Sequence, residues 1–271
     1  MNSRLLEGTV AVVAGGSSGI GRGVVEVFAR NGASVDFFGI DDDEVGDLAP
    51  SLVDTGADVY GSTVDAADPA AVQDFFADVA RRHGRLHSLV NSVGIQRYGT
   101  AESTSVETWD EVMDVNLRSM FLTAKYAVPL MRSSGGGSIV NVSSGQAVAS
   151  QRNVVAYTAS KGAIVAMTRA MAVDYASEGI RVNSVCPGSI DTPMLRASAR
   201  SMDPDDPERI IEEWGRGHPI GRVGVPHEVA NACLFLVSSL SSFITGADLR
   251  VDGGALAGIS LAAPSGASDQ G

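Results

Sequence analysis

Tyr157 and Lys161 stand four residues apart in a segment, residues 155–175, whose apolar side chains recur at helical spacing. Residues at i and i+4 share one face of a helix. An ammonium group within reach of a phenol favours the phenolate, because an opposite charge stabilises the ionised form. A free Tyr titrates near ~10, so such a neighbour moves its hydroxyl toward acid–base work at neutral pH. Ser144 lies thirteen residues before Tyr157, just after an apolar run at 138–142 that reads as a buried strand ending in Ser-Ser-Gly. A strand end followed by a glycine-containing loop is where an α/β sheet presents reactive groups. Taken alone, a Tyr and a Lys four apart are more often a solvated helix edge, so the pair gains meaning only from the elements that position it.

Those elements begin with an apolar, β-branched run at 9–14. Gly15-Gly16-Ser17-Ser18-Gly19-Ile20-Gly21 follows, and then a helical pattern through Val24, Val25, Phe28 and Ala29. Strand, glycine turn and helix form the context of a phosphate-binding turn. Gly15, Gly19 and Gly21 let the backbone approach a pyrophosphate whose charge the helix N-terminus meets. Ser17, Ser18 and Ile20 of the same turn join them as expected cofactor contacts. Further strands are predicted at 35–38, 57–64, 86–90, 138–142, 180–185 and 247–251, alternating with helices at 69–82, within 106–131, and at 155–175, 208–214 and 226–238. This alternation predicts an α/β fold: a single-domain, Rossmann-type, doubly wound parallel sheet of about seven strands with helices on both faces. The catalytic domain is expected over 1–262, with a substrate lid at about 193–220 and a small, polar, disordered tail at 263–271.

Composition narrows the function. The chain has 271 residues, 44% of them hydrophobic, with 32 acidic against 20 basic side chains and a net charge of −12. That balance argues against a nucleic-acid or anionic-membrane surface. No apolar run reaches the ~18 residues of a membrane span, and the first residues lack a signal-peptide cleavage pattern. Two cysteines, Cys186 and Cys233, make no disulfide framework, so a cytoplasmic, reduced setting is expected. Without a His/Cys cluster at ligand spacing, no metal is expected.

Gly15/Gly19/Gly21, Asn91 with Gly94, Asn116 in Val-Asn-Leu, Ser144, Tyr157-x-x-x-Lys161 and Pro187-Gly188 followed by Thr192 together resemble the short-chain dehydrogenase/reductase family over residues 7–254. The resemblance implies hydride transfer with a nicotinamide cofactor. Tyr157 would exchange a proton with the substrate oxygen, and Lys161 would lower its pKa and bind the nicotinamide ribose. Ser144 would hold the substrate oxygen, and Asn116 would support a water linking Lys161 to solvent. Asn91 and Gly94 would anchor the cofactor, Asp65 and Ala66 would flank it after the third strand, and Pro187, Gly188, Ile190 and Thr192 would position its carboxamide. Three departures stand out. Ala14 replaces the usual Thr before the glycine turn. The fourth strand closes with Asn91-Ser92-Val93-Gly94. Gly39 and Ile40 occupy the positions that usually carry the marker for NAD or for NADP. Ser18 is not basic, four acids follow Ile40, and no Arg or Lys lies between Asp36 and Pro50. NAD is therefore expected over NADP, with Asp41 as the displaced ribose ligand.

Residues after the fourth and fifth strands, namely Ile95, Gln96, Arg97, Gln146, Gln151, Arg152 and Asn153, should face the substrate together with Ser144 and Tyr157. Amides and guanidinium groups suit a hydroxyl-rich or anionic small molecule better than a steroid or a long acyl chain, since buried polar groups need partners. Trp214 and His218 on the lid could cover it. The leading expectation is NAD-dependent oxidation of a sugar, sugar derivative or polyol, with Arg97 and Arg152 leaving room for an acidic sugar. Two alternatives stay open: a 3-oxoacyl-thioester reductase, and a non-catalytic NAD(H)-binding protein. A homotetramer is expected from the family and from the apolar stretches at 106–131, 156–175 and 253–263.

Overall fold

The computed structural model describes residues 4–258. Seven parallel strands form one sheet: β1 (Val10–Ala14), β2 (Ser34–Gly39), β3 (Val59–Thr63), β4 (Ser88–Asn91), β5 (Gly137–Val142), β6 (Ile180–Pro187) and β7 (Asp248–Val251). Their order across the sheet is β3-β2-β1-β4-β5-β6-β7. The order reverses between β1 and β4, which is where a doubly wound sheet opens a crevice at its carboxyl edge. Every residue of β1 and β4 is buried, because helices cover both faces. Unbroken apolar strands are the sequence mark of that arrangement. Along β1, Ala11 and Val13 enter one core with Val25, Phe28, Phe37 and Leu236. Val10, Val12 and Ala14 enter the other with Phe76, Leu89, Met131 and Ile139.

The connecting helices are α1 (Gly19–Arg30), α2 (Asp42–Ser51), α3 (Pro69–His83), α4 (Val106–Met113), α5 (Ser119–Ser133), α6 (Val155–Tyr175), α7 (Pro193–Met202), α8 (Pro207–Arg216) and α9 (Pro226–Val237). Local chemistry sets their ends. Asp68 accepts from the amides of Ala70 and Ala71 with Pro69 in the first turn, and Gly84 closes α3 at φ 65°, the pattern of an acidic cap, an N-terminal Pro and a left-handed glycine stop. In β2 the fully buried Asp36 is held by Arg82 and His83 at the end of α3, which fastens that helix to the sheet.

The helix expected within 106–131 runs without a break from Val106 to Ser133, as α4, a wider turn and α5. Between α4 and α5, Asp114–Arg118 forms a wider π turn that carries Asn116, which is inaccessible to water. Single π turns of this kind recur at functional sites. Strand limits differ from the sequence expectation. β6 runs on to Pro187, while β3 is confined to Val59–Thr63, the stretch that pairs with β2. The expected lid resolves into α7 and α8, joined at Asp203, whose carboxylate accepts from the amides of Asp205 and Asp206. No helix among the described residues is long and apolar enough to cross a membrane. The tail at 263–271, and the part of the apolar stretch beyond 258, lie outside the described residues.

Candidate active site

The carboxyl ends of β1, β4, β5 and β6 open into one cavity of about 980 Å³. Tyr157 enters it from the first turn of α6. Lys161, one turn on, is only 4% exposed, and its Nζ donates to the carbonyl of Val142 at 3.1 Å. One residue beyond, Ser143 Oγ donates to the Lys161 carbonyl at 2.8 Å, so strand end and helix are tied twice. Ser144 then starts a 3-10 turn in which its Oγ accepts from the Gln146 amide at 3.1 Å. Ser144, Tyr157 and Lys161 all line the cavity: a hydroxyl, a phenol and an amine brought to one wall.

Electrostatics at this wall differ from the expectation that Lys161 pulls the phenol down. Burial is the largest influence on Tyr157 and pushes its phenol above the usual 10.0, with Ser144 acting the other way. The Lys161 ammonium lies 5.4 Å from the centre of the Tyr157 ring, and burial brings its own pKa down to about 8. Desolvation disfavours whichever form is charged, hence the opposite directions for an acid and a base.

Asn116 does not line the cavity; it braces it. Its Nδ2 donates to the Ile95 carbonyl at 2.9 Å and to Ser160 Oγ at 3.0 Å, while its Oδ1 accepts from the Ile95 amide at 2.7 Å. The loop after β4 is thereby fixed to α6. A Cβ on Gly94 would sit in ordinary contact with Lys161 Nζ, at 3.4 Å, and with Asn116 Oδ1, at 3.5 Å, which places Gly94 beside both.

At the other end, Gly15 takes φ 72° and Gly19 takes φ 52°, the left-handed region that glycine alone enters at no steric cost. Ser18 precedes α1 without a side-chain cap, leaving first-turn amides to face the cavity at the positive end of the helix dipole. Gly15, Ser17, Ser18, Gly19, Ile20, Asp65, Ala66, Gly94, Pro187, Gly188, Ile190 and Thr192 all line the wall. This glycine cradle and uncapped helix end fit the pyrophosphate of a dinucleotide. Thr192 caps α7 by accepting from the Leu195 amide at 3.2 Å, which sets its methyl against Gly19.

Several expected contacts lie elsewhere. Gly21 faces the turn rather than the cavity: a Cβ there would overlap the Gly15 carbonyl oxygen, so its smallness lets α1 pack on β1. Asn91 is buried in a network, donating to Asn141 Oδ1 at 2.9 Å and accepting from Thr123 Oγ1 at 2.7 Å, so it supports the sheet beneath the site. Asp41 is occupied as the cap of α2, accepting from the Glu44 amide at 3.0 Å, and is not on the wall. Glu44 is, and Ser17 Oγ donates to its Oε2 at 3.1 Å.

On the substrate side Gln96, Arg97, Gln146 and Gln151 line the cavity, but Arg152 and Asn153 do not. Asn153, at φ 59°, belongs to the turn that starts α6, and its carbonyl accepts from the Gly99 amide at 2.7 Å. Arg97 forms a two-pronged pair with Glu111, at 3.0 and 2.6 Å, which neutralises its charge locally. Tyr98, Met194, Leu195, Glu213 and Leu256 also contribute to the wall and had no marker in the sequence. His218 is buried, with Nε2 accepting from the Ser189 amide at 3.1 Å and Nδ1 2.8 Å from the Trp214 carbonyl. Those partners require the neutral ring with its proton on Nδ1, so His218 ties the end of α8 to the loop after β6.

A doubly wound sheet with this wall of Ser144, Tyr157 and Lys161 defines a nicotinamide-dependent oxidoreductase acting on CH–OH groups. The chain belongs to the short-chain dehydrogenase/reductase family: the family model described as Enoyl-(Acyl carrier protein) reductase matches residues 14–255. It is 38% identical over 259 residues to the 3-oxoacyl-[acyl-carrier-protein] reductase FabG of Chlamydia muridarum, covering 94% of this chain and 99% of that one. Among solved structures it is similar to the aldohexose dehydrogenase AldT of Thermoplasma acidophilum, at 38% identity and a TM-score of 0.87 over 96% of this chain and 98% of that one. It is also similar to the L-sorbose reductase of Gluconobacter frateurii, solved with NADPH and L-sorbose, at 30% identity and a TM-score of 0.91 over 95% and 100%.

Proposed function

We propose that this protein is an NAD-dependent dehydrogenase that oxidises a secondary alcohol or hemiacetal carbon of a neutral sugar or polyol. The observation that carries the reading is the wall on which Ser144, Tyr157 and Lys161 meet beside three glutamines, Gln96, Gln146 and Gln151. Amide groups both donate and accept, and so pair with hydroxyls without demanding a charge. The pairing of Arg97 with Glu111 and the position of Arg152 off the wall shift the balance from acidic sugars to neutral ones.

The nicotinamide cofactor supplies the hydride acceptor. Ser144 Oγ holds the substrate oxygen, and Tyr157 Oη exchanges its proton with that oxygen, giving it in reduction and receiving it in oxidation. The Lys161 ammonium stabilises the phenolate formed when Tyr157 gives up that proton, and Asn116 keeps the Ile95 loop at the distance the substrate needs. Selection of NAD is supported by the absence of Lys and Arg among the lining residues beside Ser17, Gly39 and Ile40.

We further propose a cytoplasmic homotetramer. Two separate groups of exposed apolar side chains support the assembly: Val106, Trp109, Phe121 and Val173 on α4 to α6, and Phe235, Leu240, Phe243 and Leu249 around α9 and β7. Two separate exposed apolar faces suit a dimer of dimers. Two buried, unpaired thiols suit a reducing compartment. Light scattering giving a monomer mass would remove the tetramer.

The deciding experiment follows the absorbance of reduced nicotinamide with neutral aldoses, polyols, uronic acids and an oxoacyl thioester, each with NAD and NADP in the appropriate redox state. Reduction of NAD by a neutral sugar or polyol is expected. Turnover of the thioester alone would replace the sugar reading with the acyl one that the FabG likeness supports.

A further inference from the structure

We propose that Glu44, positioned by Ser17, reads the adenosine ribose and discriminates against a 2′-phosphate. The inference rests on the dinucleotide reading of the cavity and goes beyond it by assigning the discriminating carboxylate. A dinucleotide fold receives the ribose 2′-hydroxyl at the end of the second strand, on a carboxylate. In this chain that strand ends at Gly39, which has no side chain to offer. Nor is there room for one: a Cβ at position 39 would overlap Ser17 Oγ and lie 2.7 Å from Ser17 Cβ. The Ser17 side chain is itself buried and fills the volume that an acid at 39 would occupy.

From that place Ser17 Oγ donates to Glu44 Oε2 at 3.1 Å. Ser17, Gly39, Ile40 and Glu44 line one end of the cavity together. Glu44 Oε1 has no protein donor among the described residues and can accept from a hydroxyl. Of the neighbouring acids, Asp41 caps α2 and Asp42 is held by Thr63 Oγ1, and neither these nor Asp43 line the cavity. The carboxylate missing from the end of β2 is thus supplied from the first turn of α2, and the hydroxyl of the glycine turn fixes its direction. The two cations on the wall, Arg97 and Lys161, lie with the substrate-side residues, the first already paired with Glu111. A 2′-phosphate would meet a carboxylate with no cation beside it, and like charges in such proximity repel strongly.

Calorimetric titration of the full-length protein with NADH and with NADPH, in the absence of any alcohol substrate, tests the assignment. Wild type is expected to bind NADH more tightly. Glu44→Gln keeps the side-chain length and an oxygen for Ser17 to donate to, so it removes charge alone. It is expected to tighten NADPH about tenfold while weakening NADH by a smaller factor. Asp41→Asn, which retains a capping oxygen, should leave the ratio of the two dissociation constants unchanged. If wild type prefers NADH and Glu44→Gln, melting at the wild-type temperature, leaves the ratio unchanged, the Glu44 assignment falls and the NAD reading stands. If wild type binds NADPH more tightly, both fall. Neither outcome depends on which alcohol is oxidised.

Discussion

Lys161 Nζ donates to the carbonyl of Val142 across 3.1 Å, two residues before Ser144. The same bond that buries the amine therefore registers α6 against the strand end that presents the serine, and proton chemistry and strand position are set together.

Burial of that amine should be visible in stability. The Lys161 pKa is about 8 in the folded protein against 10.5 for the free side chain. Below pH ~8 both states carry the proton and the folded state bears the whole desolvation cost, about 3 kcal/mol at about 1.4 kcal/mol per pH unit. Between the two values the unfolded chain holds more protons, so stability rises with pH, and above the higher one the cost is gone. Lys161→Met is expected to abolish turnover yet melt higher than wild type at neutral pH, with the gap closing as pH approaches the upper value. Thermal melts across this range check both the sign and the window.

Tyr157→Phe removes one oxygen and preserves the packing of a buried ring. Turnover should fall about 10²- to 10⁴-fold, the usual worth of a positioned acid–base group. Calorimetric binding of NADH should stay within a factor of a few. Unchanged turnover would dismiss Tyr157 as the proton carrier.

Asn116→Ala strips three hydrogen bonds at once and strands both the amide and the carbonyl of Ile95. Unpartnered buried groups cost about 1–3 kcal/mol each, so a loss of roughly 2–4 kcal/mol in denaturant unfolding is expected, with a lowered kcat. A variant of wild-type stability would mean that the loop after β4 is held to α6 by something other than Asn116.

Gly21→Ala should be far more damaging than an ordinary helix Gly→Ala change, which is stabilising where space allows. The new methyl would overlap the carbonyl oxygen of Gly15, and only backbone movement of the glycine turn relieves it. Weakened NADH binding together with a lower melting temperature is expected. Retention of both would show that α1 can withdraw from β1 without disturbing the cradle.

Gln146→Ala and Arg152→Ala separate wall from surface. Gln146 lines the cavity and Arg152 does not. Steady-state kinetics should show a raised KM for the polyol or sugar with the first and no change with the second. A raised KM for Arg152→Ala would revive the acidic-sugar alternative.

The sequence alone carried the order of the strands and of every connecting helix but α2 and α7, the glycine turn and the Ser144/Tyr157/Lys161 chemistry. Each is written in short-range terms: alternation of apolar runs, left-handed glycines, and a spacing of four on a helix. What it could not carry depends on distant elements meeting. Asp41 and Glu44 are equivalent as acids after β2. Only the phase of α2 and the bulk of Ser17 decide that one caps a helix and the other faces the cavity. Arg97 reads as a cation until Glu111, fourteen residues away, comes to lie against it. Lys161 reads as a charge that lowers the Tyr157 pKa, and only the fold shows that burial raises the phenol and lowers the amine. Residue type and local spacing determined which groups this chain has for chemistry. Tertiary packing decided which of them face the cavity and in what ionic state, because burial and long-range pairing are properties of the folded chain.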